Sequence, residues 1–306
     1  MRIAVIGAGA VGAYFGGRLA EAGNSVHLLA RGEHLRALQT RGLKVSSPLG
    51  DIDGLRVPAG DDPHGVGPVD VVLIAVKAQD LQSAATAAQL LIDDDTAVVS
   101  LQNGVEAEEE LAAALGSERV LGGVAYIEAA LAEPGLIEHR SAFARLTFGE
   151  LDGRRTARAE EFLRVCTEAG IDASISDDIR GDLWRKWIFI CAFSGMTALC
   201  RQPIGAVMSD PDLLAVFRRL LEEMTALARA KGIELPGDIV EERLSFSRER
   251  LDPEMRSSLL SDLHRGKRLE IESLNGHAVR LGRRLGVATP ANEVVYAALK
   301  PYRAGR

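Results

Sequence analysis

Arg2-Ile3-Ala4-Val5-Ile6-Gly7-Ala8-Gly9-Ala10-Val11-Gly12 is an apolar run that passes directly into a glycine-rich turn. Gly7, Gly9 and Gly12 fit the Gly-x-Gly-x-x-Gly spacing. In that pattern the first glycine permits a tight turn, the second lets a pyrophosphate approach the backbone, and the third lets the next helix pack on the strand. The open amides and positive dipole end of that helix complete an anion site. With 31 glycines among 306 residues the spacing alone is weak evidence, and a plain βα turn would also satisfy it. The surroundings narrow the reading. Residues 10–22 carry apolar side chains at helical spacing and stop at Gly23, and residues 25–30 form a second buried strand. A βαβ unit therefore closes within about 30 residues, as dinucleotide-binding folds require. Gly7, Ala8, Gly9, Ala10, Val11 and Gly12 are the predicted cofactor-holding segment.

The tip of the second strand decides which dinucleotide. An Asp or Glu there accepts hydrogen bonds from a ribose 2′-hydroxyl, but this chain reads Ala30-Arg31-Gly32. A carboxylate would repel a 2′-phosphate, whereas an arginine grips one through charge-assisted hydrogen bonds of about 1.5–3 kcal/mol. NADPH is the predicted cofactor; the alternative is that Arg31 is merely solvated. Lys77, just beyond the apolar run at residues 69–76, either helps to neutralise the same phosphate or is a surface lysine. Asn103, in Gln102-Asn103-Gly104 after the strand at residues 96–101, stands where ligands bind beyond the carboxyl ends of strands. Asn-Gly is equally ordinary turn chemistry.

Elsewhere in the first half, strand and helix patterns alternate. A short helix is expected at residues 34–40, two short strands within 43–57, helices at 84–92 and 105–115, and a strand at 119–126. Residues 136–139 and 145–148 read as antiparallel edge strands, and residues 154–169 as a closing helix. Ser176-Asp177-Asp178 is a polar cluster suited to capping a helix. Beyond Ile179 strand patterns vanish, and helices are predicted at residues 212–231, 238–250, 257–285 and 292–299. The expected fold class is α/β: a Rossmann-type dinucleotide-binding domain over residues 1–176, followed by an all-helical C-terminal domain over residues 177–306. The cleft between the two is the expected substrate site.

A net charge of −7 argues against nucleic acid as the main partner. Cys166, Cys191 and Cys200 form no Cys-x-x-Cys pair, so neither a metal site nor a disulfide framework is expected, only buried free thiols. The first strand begins at residue 2, which leaves no room for a cleavable signal peptide, and no apolar run approaches membrane length. A cytoplasmic location without a membrane partner is expected. Apolar helical faces in the second half are compatible with a homodimer.

Three stretches of the helical half carry a resemblance: Leu183-Trp184-Arg185-Lys186, the pair Ser257-Ser258, and Leu269-Glu270-Ile271-Glu272-Ser273-Leu274-Asn275-Gly276. Taken in order with residues 7–12, Arg31, Lys77-Ala78 and Asn103-Gly104, they are similar to the signatures of the ketopantoate reductase (2-dehydropantoate 2-reductase) family over nearly the whole chain. The resemblance implies a Rossmann domain and a helical domain enclosing NADPH, which reduces the 2-keto group of ketopantoate to pantoate on the route to pantothenate and coenzyme A. It implies Lys186 as general acid and Glu270 as the carboxylate that orients the substrate. It further implies Ser258 as a substrate-binding residue, Asn103 bridging cofactor and substrate, and Ala129 lending backbone contact to the cofactor; Ser194 is a further expected substrate-binding residue. Spacing alone is also satisfied by a lysine whose stem covers Trp184 and Trp187, and by a glutamate solvated beside Lys267 and Arg268.

The chain departs from the family pattern where well-studied members carry asparagines four and eight residues after the lysine. Here Ile190 and Ser194 stand, and Ile204 and Met255 replace two further pocket asparagines. Each unmade hydrogen bond to a polar substrate costs about 1–3 kcal/mol. Reduction of a different, more apolar 2-keto acid or ketone is therefore a rival to ketopantoate. A non-enzymatic NADP(H)-binding redox sensor is a further alternative.

Overall fold

The apolar run at residues 3–6 alternates strictly between two cores. Ile3 and Val5 enter one, Ala4 and Ile6 the other, so this strand is covered on both faces. That burial explains the unbroken run of apolar residues, because a parallel strand between two helical layers has no wet face. The computed structural model describes residues 1–305. They divide into two compact units, one formed by Met1–Gln102 with Glu106–Arg180, the other by Asn103–Val105 with the chain from Gly181 onward.

The first unit contains β1 (Arg2–Ile6), α1 (Ala10–Glu21), β2 (Ser25–Leu29), α2 (Gly32–Arg41), β3 (Leu43–Ser46), β4 (Ile52–Leu55), β5 (Ala59–Gly60), β6 (Val71–Ile74), α3 (Leu81–Ala88), β7 (Ala97–Ser100), α4 (Ala107–Leu115), β8 (Val120–Glu133), β9 (Leu136–Glu150), α5 (Ala157–Glu168) and β10 (Asp172–Ile175). They build a 10-stranded sheet in the order β4-β3-β9-β8-β7-β6-β1-β2-β5, with β10 also paired to β9. From β5 to β8 all neighbours are parallel, and β8 and β9 form an antiparallel hairpin. The chain leaves β1 for β2 on one side and returns on the other as β6. A topological switch point therefore lies at the carboxyl end of β1, where open α/β sheets bind ligands.

Two expectations for this unit are corrected. The two short edge strands become one continuous β9, and it lies inside the sheet, with β3, β8 and β10 all paired to it. Its polar residues Arg140 and Arg145 are exposed and Glu138 is half-buried, and their polarity hid the continuity of the strand. β10 was not foreseen: four residues of modest apolarity pair parallel to β9 through Asp172↔Arg145 and Phe148↔Ile175.

The second unit is helical: α6 (Ile179–Cys200), whose first turn contains the division, then α7 (Ile204–Ser209), α8 (Pro211–Ala230), α9 (Ile239–Glu249), α10 (Ser258–His264), α11 (Asn275–Leu285) and α12 (Pro290–Leu299). α6 is apolar nearly all round and runs through the centre of the unit, with Trp187, Ile188, Cys191 and Ala192 buried. The single helix expected over residues 257–285 is two helices, α10 and α11, separated by turns. Gly266, at φ +61, ends the first of them.

Candidate active site

Each glycine of the opening turn meets a different demand. Gly7 has φ +92, and a Cβ there would lie 2.7 Å from the Val76 backbone nitrogen. A Cβ on Gly12 would collide with the Gly7 carbonyl oxygen and crowd Val5 and Ala75, so only glycine lets α1 pack this closely. Over Gly9 there is open space: a Cβ would meet nothing within 4 Å. Within the turn the amides of Gly7 and Ala8 donate to Leu29 O at 3.2 and 3.0 Å, and Gly9 N donates to Gly7 O at 2.7 Å. Ala10, Val11 and Gly12 open α1, whose N-cap residue Gly9 supplies no side-chain cap and whose first turn holds no acid. First-turn amides have no intrahelical acceptor, so this end offers the open N–H groups and positive dipole end that suit an anion.

Beside the turn lies a cavity of about 330 Å³ lined by Gly7, Ala8, Gly9, Arg31, His34 and Lys77, with Asp61, Asp80 and Ser83 also on its wall. Arg31 stands exposed at the N-cap of α2, and Lys77 follows β6. Two side chains 46 positions apart in sequence (77 − 31) thus meet on one cavity. Open backbone over Gly9, an uncapped helix end and two cations suit a dinucleotide with an extra phosphate. Ala129 is not on this wall; it lies half-buried on β8, paired with His139 and packed against the sheet core. His34 and Asp61 are cavity residues that the sequence did not mark, since nothing in a short amphipathic helix or an acidic loop shows where its side chains converge.

In the helical unit Lys186 is half-buried on α6, and Ile190 and Ser194 follow it at intervals of four, one above the other on a single face. Trp184 and Trp187 pack edge to face at 5.0 Å, and Trp187 also meets His277 at 5.1 Å. Glu270, expected on a helix, lies instead in the turns between α10 and α11, where its carbonyl accepts from Leu274 N at 3.2 Å and Ser273 Oγ at 3.0 Å. The neighbouring acid Glu272 is committed to Arg280 at 3.0 Å and to the Tyr296 hydroxyl at 2.9 Å. Asn103 belongs to this unit, and the Cβ position of Gly104 lies 3.5 Å from Ser273 O, so the Asn103 loop rests against the turn that carries Glu270.

Ser258 is exposed in the first turn of α10. Its neighbour Ser257 is the buried N-cap: its oxygen accepts from Leu260 N at 3.1 Å and lies 2.7 Å from Thr197 Oγ, tying α10 to α6. Ile204 is 1% exposed and sits in the core, its amide donating to Met255 O at 3.0 Å. Its side chain therefore faces the core rather than an open wall. All three cysteines are free; Cys166 and Cys191 are buried and Cys200 half-buried, and burial pushes the Cys166 thiol up to about 12. Among the described residues no cluster of metal-ligating side chains occurs, and no helix is long and apolar enough to cross a membrane.

Fold and cavity together have the form of a dinucleotide-binding protein built on a Rossmann-type sheet. The family model "Ketopantoate reductase PanE/ApbA" matches residues 3–153, and its partner "Ketopantoate reductase PanE/ApbA C terminal" matches residues 178–303. The chain belongs to the ketopantoate reductase family, whose reductant is NADPH and whose members act on a CH–OH/C=O group. It is 36% identical over 296 residues to a 2-dehydropantoate 2-reductase of Archaeoglobus fulgidus, covering 96% of this chain and 95% of that one. Over 307 residues it is 34% identical to YkpB, an uncharacterized oxidoreductase of Bacillus subtilis, with 99% of each chain covered. A crystal structure of a PanE/ApbA family ketopantoate reductase from Ralstonia eutropha is similar with a TM-score of 0.91 at 37% identity, covering 99% of this chain and 98% of that one.

Proposed function

We propose that the chain catalyses the NADPH-dependent reduction of 2-dehydropantoate to pantoate, a step toward pantothenate and coenzyme A. The observation that carries this proposal is the rest of the Asn103 loop against the turn bearing Glu270, in the same helical unit whose central helix presents Lys186. When bound, the reduced nicotinamide supplies a hydride to the carbonyl carbon. Lys186 holds the proton that the carbonyl oxygen takes up as it becomes a hydroxyl, a role worth about 10²–10⁴ in rate. Glu270 accepts a hydrogen bond from the substrate hydroxyl and balances the ammonium charge. Ser258 and Ser194 bind the substrate, and Asn103 bridges it to the cofactor. Gly7 to Gly12 hold the pyrophosphate, and Arg31 and Lys77 the 2′-phosphate, in the cytoplasm of the cell.

Purified protein should oxidise NADPH when given ketopantoate; no oxidation in the presence of tight NADPH binding would sink the enzymatic reading in favour of a nucleotide sensor. Ile190 supports a second reading. It sits on the helical stripe between Lys186 and Ser194, where an apolar side chain offers a substrate no hydrogen bond. A panel of 2-keto acids under identical conditions separates the two: ketopantoate ranks first if the polar substrate is right, and poorly if an apolar 2-keto acid is the true one.

A further inference from the structure

His34 lies on the wall of the cofactor cavity, and both its ring nitrogens are in use. Nε2 is 2.7 Å from the Ala8 carbonyl oxygen in the middle of the glycine turn. Nδ1 lies 3.0 Å from the backbone nitrogen of Gly135, in the hairpin turn between β8 and β9. A backbone amide can only donate, so Nδ1 accepts, the ring proton sits on Nε2, and Nε2–H donates to Ala8 O. The tautomer and the neutral state both follow from geometry. The hairpin turn is itself held: Arg41 donates to Pro134 O at 2.7 Å, and Lys44 N donates to Gly135 O at 2.8 Å.

From this geometry we infer that His34 is a positioning residue for the cofactor, a neutral imidazole clamp that fixes the Ala8–Gly9 peptide plane by bridging the glycine turn to the β8–β9 hairpin. The inference rests on the cofactor site proposed above. With Ala8 O drawn toward α2, the Gly9 amide turns back onto Gly7 O, and the carbonyl dipole is kept from the space over Gly9 where an anion would meet it. Released, that carbonyl can rotate toward the phosphates and repel them. Protonation breaks the clamp, because an imidazolium presents N–H to the Gly135 N–H. Burial lowers the His34 pKa and favours the clamped form, while the bond to Ala8 O opposes that shift.

Other groups titrate or carry charge nearby. Arg31, Lys77, Asp61 and Asp80 share the cavity wall, and Glu133 and Arg41 flank the hairpin turn. A bound 2′-phosphate itself titrates near pH 6. The test therefore uses two nucleotides, NADP+ and NAD+, since the second lacks that phosphate. Their dissociation constants are measured on the full chain between about pH 5 and 8 for wild type, His34→Gln and His34→Ala, with the melting temperature followed in parallel. One lost hydrogen bond predicts about 3- to 10-fold weaker binding of both nucleotides to His34→Ala at the alkaline end. Wild type should lose affinity for NAD+ on acidification. His34→Gln, which keeps a donor and an acceptor but cannot titrate, should show no such fall. His34→Ala binding both nucleotides as tightly as wild type, or His34→Gln reproducing the wild-type pH profile, overturns the clamp. Wild type binding neither nucleotide would instead overturn the cofactor site, and the clamp with it.

Discussion

Lys186 and Arg31 carry positive charges on which the proposed reaction turns, and neither is a core residue. Lys186→Ala should lower kcat by about 10²–10⁴ through loss of the proton donor, while NADPH affinity in a binding titration stays close to wild type. Undiminished turnover would remove the lysine from the chemistry. Arg31→Ala should weaken NADPH by roughly 10- to 100-fold, as expected for one charged hydrogen bond, and leave NADH almost untouched; equal losses for both would contradict its assignment to the 2′-phosphate. The place of Arg31 at the end of β2 was legible because a residue just past a strand end has its surroundings set by local geometry. His34 was not, since its partners lie 26 and 101 positions away. Ser257 and Ser258 are alike in sequence. Only the fold buries the first as a cap bonded to Thr197 and leaves the second exposed.

The turn between β1 and α1 separates stability from binding within a few residues. Gly12→Ala forces a methyl group against the Gly7 carbonyl, and overpacking of this kind costs about 1–3 kcal/mol. Its melting temperature should fall, and cofactor binding with it. Gly9→Ala places the same methyl group in open space at a negative φ of −78. It should melt as wild type does yet bind NADPH more weakly, because the methyl occupies the approach of the phosphates; unchanged affinity would show that no ligand comes close to Gly9. At this scale the βαβ unit was legible, and the break between α10 and α11 was not. Leu259, Leu260, Leu263, Leu269, Ile271 and Leu274 are all buried. Apolar residues that face a core from successive turns keep the spacing of a helix that is no longer there.

For the whole molecule, acid is the informative perturbation. His27, His34 and His139 in the first unit all have pKa values lowered from 6.5, chiefly by burial. The folded state then binds fewer protons than the unfolded chain, so stability is greatest above the ordinary histidine value and is lost as pH falls below it. The melting temperature should decline steadily from about pH 7 toward 5, and a flat or rising profile over that interval would contradict the burial of these rings. The sequence by itself determined the alternation of strands and helices in the first half, the dinucleotide turn, the sign of the charge at the tip of β2 and the helical character of the second half. Each of these is written in local spacing, where a residue's neighbours along the chain decide its environment. Only the tertiary structure decided that β9 lies inside the sheet, that Arg31, His34 and Lys77 share one cavity, and that the Asn103 loop rests on the Glu270 turn. These depend on contacts between residues far apart in sequence, which form when distant apolar surfaces are buried together and leave no periodic trace in the chain.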